Sequence, residues 1–166
     1  MRHSNPVALR TQLNDNIEYT GQPDLFPYED VTTGTDTHAN DEDRNYEELT
    51  TNLHHSPIIG FAFDGFPIYG SYTYENTNGT GNIKRMKSSY RLRNISDRTV
   101  LPDGTVLTPI YYGPSLAQYP LGAYVDDFEY VQGLGDLDEH NGRFCVTPEY
   151  PQGTYAYFVT LDSALN

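Results

Sequence analysis

Cysteine is all but absent from this chain: Cys145 is the single one among 166 residues, so no intrachain disulfide can staple the fold. Tryptophan is missing and methionine occurs twice. No apolar run approaches the ~20 residues that a membrane helix needs. The opening MRHSNPVALR has no apolar core of the kind a secretion signal carries, so any export signal is expected outside this sequence. Positive charge is scarce: 10 Lys and Arg stand against 23 Asp and Glu, a net charge of −13. Such a surface repels phosphate backbones and anionic lipid, which argues against nucleic acid and membranes as partners. G-x-S-x-G, P-loop and H-E-x-x-H strings are also missing, which removes the usual marks of an α/β-hydrolase, a nucleotide phosphatase or a zinc protease.

What the chain has in quantity is aromatic side chains: 15 Tyr and 7 Phe. A buried tyrosine needs a partner for its hydroxyl, so the expected core is laced with side-chain hydrogen bonds. The length suits one domain, 1–166, and Gly and Pro are spread without a linker-like block or a repeat. Asn5 and Pro6 form a helix-start signal before Val7, Leu9 and Leu13. DEDRNYEELTTNL (41–53) puts Tyr46, Leu49 and Leu53 at helical spacing and predicts a second short helix. The period then changes. IIGFAF and FPIYGSYTY read as strands about an Asp64-Gly65 hairpin turn, and Asp103-Gly104 marks another turn. SYRLRN, GRFCVTP and GTYAYFVTL also read as strands, while AYVDDFEYV fits a strand or a helical turn. The expected fold is α+β with β dominant, built from antiparallel strands and hairpins with one or two short helices near the N-terminus.

Candidate site residues cluster in two stretches. HHSPIIGFAFDGFPIYG (54–70) sets Asp64 in an aromatic wall behind His54 and His55; the carboxylate is either a turn former or a ligand. GDLDEHNGRF (135–144) packs Asp136, Asp138, Glu139, His140 and Asn141 before Arg143. Its spacing fails the calcium-loop pattern, and Glu139 beside His140 suits a mixed nitrogen–oxygen site for Zn, Cu or Mn better than calcium. The loop with Asp36, Asn40 and Glu47 lacks the glycine of a calcium loop and reads as solvated. IKRMKSSYRLR (83–93) holds half of the basic residues and is the expected place for a protein partner or self-association, with VDDFE (125–129) as an obvious acidic mate. Cys145 reads as a small buried hydrophobe.

Four stretches, SNPVALRTQL, HSPIIGFAFDGFPIYGSY, LPDGTVLTPIYYGPS with YPLGAYVDDFEYV, and GDLDEHNGRFCVTPEYPQGTYAYFVT, together resemble the YHYH domain proteins. His3 matches the last histidine of the run that names the family. The earlier histidine would fall at Met1, so the resemblance implies a domain clipped at both ends. It also implies an extracellular or virion-borne setting, because such domains occur in exported bacterial proteins and in structural proteins of marine phages. In that wording His55, Asp64 and the DEHNGR stretch go together. The expectation is a non-enzymatic binding or structural module whose metal centre is made by His3, His55, Asp64, Glu139 and His140, with Asp138, Asn141 and Arg143 as a supporting polar network and no catalytic residue assigned. A metal-dependent hydrolase or oxidoreductase on the same cluster is the enzymatic alternative. A buried hydrogen-bond network with no metal is the third reading.

Overall fold

A computed structural model describes residues 7–19 and 46–160. The chain divides into two compact units: Lys87–Asn141 forms one, and the described residues on either side of it form the other.

The flanking unit begins with helix α1, Val7–Gln12. Asn14 takes a left-handed conformation (φ 56°), the Asp15 amide donates to the Arg10 carbonyl and the Asn14 amide to that of Thr11. This is a Schellman stop with Asn in the place usually given to Gly. It turns the chain back so that Asp15 lies against Arg10. Strand β1 (Ile17–Tyr19) then pairs antiparallel with β2 (Tyr46–Glu48). The helix expected over 41–53 is therefore not there in its described part: 46–48 are strand, and 41–45 lie outside the described residues. Three residues of weak helical spacing lose to a ladder that pairs Ile17 with Glu48 and Tyr19 with Tyr46, a tertiary override of local propensity. The helix-start residues Asn5 and Pro6 also lie outside the described residues.

A four-stranded sheet follows, in the order β3 (Ile58–Phe61), β4 (Pro67–Tyr69), β10 (Thr154–Phe158), β9 (Gly142–Cys145). β3–β4 and β9–β10 are antiparallel hairpin-type pairs, but β10 runs parallel to β4. The Asp64-Gly65 turn sits where expected, with Gly65 at φ 85° and its amide bonded to the Ala62 carbonyl. That φ is open to glycine and strained for most other residues. Alternation sorts the sheet into two faces. Tyr69, Ala156, Phe158 and Cys145 are buried on one, with the rings of Tyr69 and Phe158 stacked 5.7 Å apart. Ile68, Tyr155, Tyr157 and Phe144 belong to the other, and Phe144 remains 65% exposed. A small antiparallel pair, β5 (Tyr72–Tyr74) with β6 (Ile83–Arg85), completes the unit; buried Met86 follows it.

In the Lys87–Asn141 unit, β7 (Tyr90–Leu92) pairs antiparallel with β8 (Phe128–Tyr130), and two 3₁₀ turns cover Pro109–Tyr111 and Val125–Asp127. AYVDDFEYV is thus helical turn and strand in succession. Val100 bridges Val106 around the Asp103-Gly104 turn. Among the described residues the basic ribbon meets the VDDFE stretch through Arg91, whose Nε donates to Glu129 Oε1 at 2.8 Å, and through Arg93, whose Nη1 donates to the Asp126 carbonyl at 2.8 Å. Among the described residues the molecule is mostly β, with antiparallel sheets and hairpins, one short helix near the N-terminus and the two 3₁₀ turns.

Candidate functional site

In the flanking unit His55 is held by both ring nitrogens. Nδ1 lies 2.8 Å from the Ser56 carbonyl, which can only accept, so Nδ1 carries the proton. Nε2 then accepts from the Thr73 hydroxyl at 2.9 Å. The ring stands edge-on to Tyr69 (5.0 Å) and tilted against Tyr74 (5.3 Å). Burial lowers its pKa below the ordinary 6.5, in favour of the neutral ring. Tyr69, behind it, donates to Glu149 Oε2 and shares a hydrogen bond with Thr147 Oγ1, both at 2.8 Å.

Asp64 is exposed in its turn. Oδ1 accepts from the Phe66 amide at 3.1 Å, the bond of an Asx turn, and Oδ2 accepts from the Tyr157 hydroxyl at 2.5 Å. The Tyr157 bond, and after it the Phe66 amide, hold the carboxyl below its usual range. His55 and Asp64 share no hydrogen-bond partner among these contacts. Asp64→Asn keeps an acceptor for the Phe66 amide, and its NH2 can donate to the Tyr157 hydroxyl oxygen in place of the bond it loses. The expected melting temperature stays within about 2 °C of wild type by differential scanning fluorimetry. A drop well beyond that means the negative charge itself is needed for the fold.

Arg143, expected in the supporting polar network, donates to the Tyr74 carbonyl and lies over the Phe158 ring at 5.8 Å. Cys145 is buried beside it, and burial pushes its thiol pKa up. His3 lies outside the described residues.

Asp138, Glu139, His140 and Asn141 belong to the Lys87–Asn141 unit and form a turn. Asp138 Oδ1 accepts from the His140 amide at 2.9 Å, and Asn141 adopts φ 56° while its Oδ1 accepts from Ser88. The Glu139 carbonyl accepts from the Tyr90 hydroxyl. The side chains of Glu139 and His140 are both exposed, 3.6 Å apart. Among the described residues no group of three or more His, Cys, Asp and Glu side chains comes together as a metal-binding set. A cleft of about 200 Å³ in this unit is lined by Arg93, Arg98, Val100, Leu101, Tyr111 and Tyr124, among others, and by none of the expected site residues.

Two ionic clamps went unread in the sequence. In the flanking unit Arg10 is fully buried. It donates to Asp15 Oδ2 (2.5 Å) and forks onto Glu48 (2.6 and 3.0 Å). Burial opposes its charge, but the bonds to Glu48 and Asp15 outweigh it and raise its pKa. Asp15 Oδ1 accepts from the Asn16 amide and from Ser56 Oγ (2.6 Å). Ser56 Oγ accepts from the Tyr72 amide, and the Asn16 side chain brackets both the N–H and the C=O of His54. The signal was a helix carrying Arg10 five residues before an acid, a spacing that has meaning only once the Schellman stop is known.

In the other unit Arg98 forks onto Asp127 (2.6 and 2.8 Å) and donates to the carbonyls of Pro114, Tyr119 and Pro120. Its guanidinium lies 4.8 Å from the Tyr124 ring centre. The Arg98 bond, with the amides of Tyr124 and Gly122, carries the Asp127 carboxyl down to about 2. An unfolded aspartate titrates near ~3.9. The stabilisation is therefore complete above about pH 4 and is lost as pH falls toward 2. Urea midpoints measured between pH 5 and 2 should fall more steeply for wild type than for Asp127→Asn. Parallel slopes would mean that Asp127 does not carry this dependence.

These features define a β-dominant module whose polar signature residues fasten strands, turns and a helix end. The chain belongs to the YHYH protein family, whose sequence model matches residues 3–165. No curated protein and no solved structure matches it.

Proposed function

We propose that the protein is a non-enzymatic binding or structural module, and that its His/Asp wording builds the frame rather than a reaction centre. One observation carries this reading: His55, the imidazole on which the metal and enzyme alternatives both depend, has both ring nitrogens engaged inside the fold, by Ser56 and Thr73. A metal at Nε2 would have to displace the Thr73 hydroxyl, and Thr73 is fully buried. Asp64 supports the same reading, since each of its oxygens already closes the turn or pins Tyr157. A setting in an exported or virion protein is part of the proposal and rests on the family resemblance alone.

The test is metal analysis of the purified protein, followed by its melting temperature with and without a strong chelator. The expected result is no stoichiometric transition metal and no shift. A bound Zn, Cu or Mn, with a melting temperature that falls on chelation, would favour instead a centre recruited around His3.

A further inference from the structure

We propose that the exposed aromatic face of the four-stranded sheet, with Asp64 at its rim, is a docking surface for an arginine side chain of a partner protein. This deepens the reading of a binding module and rests on it.

The face is continuous. Phe66 meets Tyr155 edge to face at 5.4 Å, and Tyr155 meets Tyr157 in the same way at 5.2 Å. Tyr157 reaches Asp64 through its hydroxyl. Phe144 lies opposite Tyr155 in the strand register and is 65% exposed, while Phe63, beside Asp64 in the turn, is fully exposed. Soluble chains seldom leave this much ring surface together without a use for it.

The polar groups select the occupant. Asp64 is an ionised carboxylate and can only accept hydrogen bonds. The Tyr157 hydroxyl already gives its proton to Asp64. The rim thus offers acceptors and the negative faces of aromatic rings. A neutral sugar, whose hydroxyls both donate and accept, draws nothing from the charge of that carboxylate. A guanidinium only donates, lies flat on a ring and forks onto a carboxylate. The net charge of −13 adds long-range attraction for a basic partner.

The experiment is isothermal titration calorimetry at physiological salt with a blocked triarginine peptide, a blocked trilysine peptide and a neutral β-glucan oligosaccharide. Triarginine should bind more tightly than trilysine. Phe63→Ala and Phe144→Ala, which change no charge, should each weaken triarginine about 3- to 10-fold, as should Asp64→Asn. Glu139→Gln, which removes one negative charge from an exposed site in the other unit, should leave affinity within about twofold. Equal weakening by Glu139→Gln with no effect of the Phe variants would overturn the proposal in favour of diffuse attraction. Glucan binding that the Phe variants abolish would overturn it in favour of a glycan platform. Failure of triarginine to bind a folded, chelator-insensitive protein sinks this inference and leaves the binding-module reading standing. Peptide recovered with altered mass would sink both.

Discussion

Replacing Arg10 by methionine is expected to cost about 3–5 kcal/mol, the loss associated with stripping one partner from a buried ionic network. The guanidinium is fully buried and holds two carboxylates, Asp15 and Glu48. Without it the Asp15 carboxylate loses its cation beside the buried Asn16 and Ser56, and Glu48 loses a two-pronged partner. For a domain whose whole margin is about 5–15 kcal/mol, that is a large share. Thermal unfolding should show it directly, with a fall in melting temperature of about 10 °C or more. The combined variant Arg10→Met, Asp15→Asn, Glu48→Gln should regain part of the loss, because the stranded charges are gone. If Arg10→Met alone is neutral, the network does not hold α1 to the β1–β2 pair as described.

The second large effect is expected at Gly70. A Cβ there would fall against Asp15 Oδ2 and within 2.8 Å of Ser56 Cβ and Oγ. These atoms are not loose ends: Asp15 is tied to Arg10 and Ser56 to the Tyr72 amide. Gly70→Ala must therefore push the network apart or bend the strand end after Tyr69. Overpacking of this kind costs about 1–3 kcal/mol, against a gain of several tenths from the stiffer unfolded chain. Its effect should shrink in part when Ser56 is also made Gly, since one of the two crowding side chains then withdraws and frees Asp15 to shift. Additive losses in that cycle would show that Ser56 is not what crowds the added Cβ.

Much of the β architecture was legible because its signals are local. Asp64-Gly65 between apolar runs makes its hairpin, and the alternation of Ala156 and Phe158 with Tyr155 and Tyr157 makes β10. That alternation did not say which face is covered: the Ala156 and Phe158 face is, and Phe144 and Phe66 stay in part exposed. The second helix failed because Tyr46–Glu48 has a ladder partner in Ile17–Tyr19, nearly thirty residues away and invisible to any window. The site was less legible still. Carboxylates and histidines suit a metal by residue type and spacing, yet their partners are neighbours such as Ser56 and Phe66 and distant hydroxyls such as Thr73 and Tyr157. Arg10 and Arg98, which hold the buried carboxylates, carry no sequence signal because a single arginine has no motif. Their acids, Asp15 and Asp127, are defined only by turns that set them opposite the guanidinium.

Nitrogen-15 NMR of the His55 imidazole tests the central claim most directly. A structural His55 should appear as the neutral Nδ1–H tautomer at pH 7, should take up its proton only below the ordinary 6.5, and should keep its shifts when zinc or a chelator is added. An Nε2–H tautomer, a pKa above 6.5, or a shift of the ring resonances on adding zinc would contradict the account.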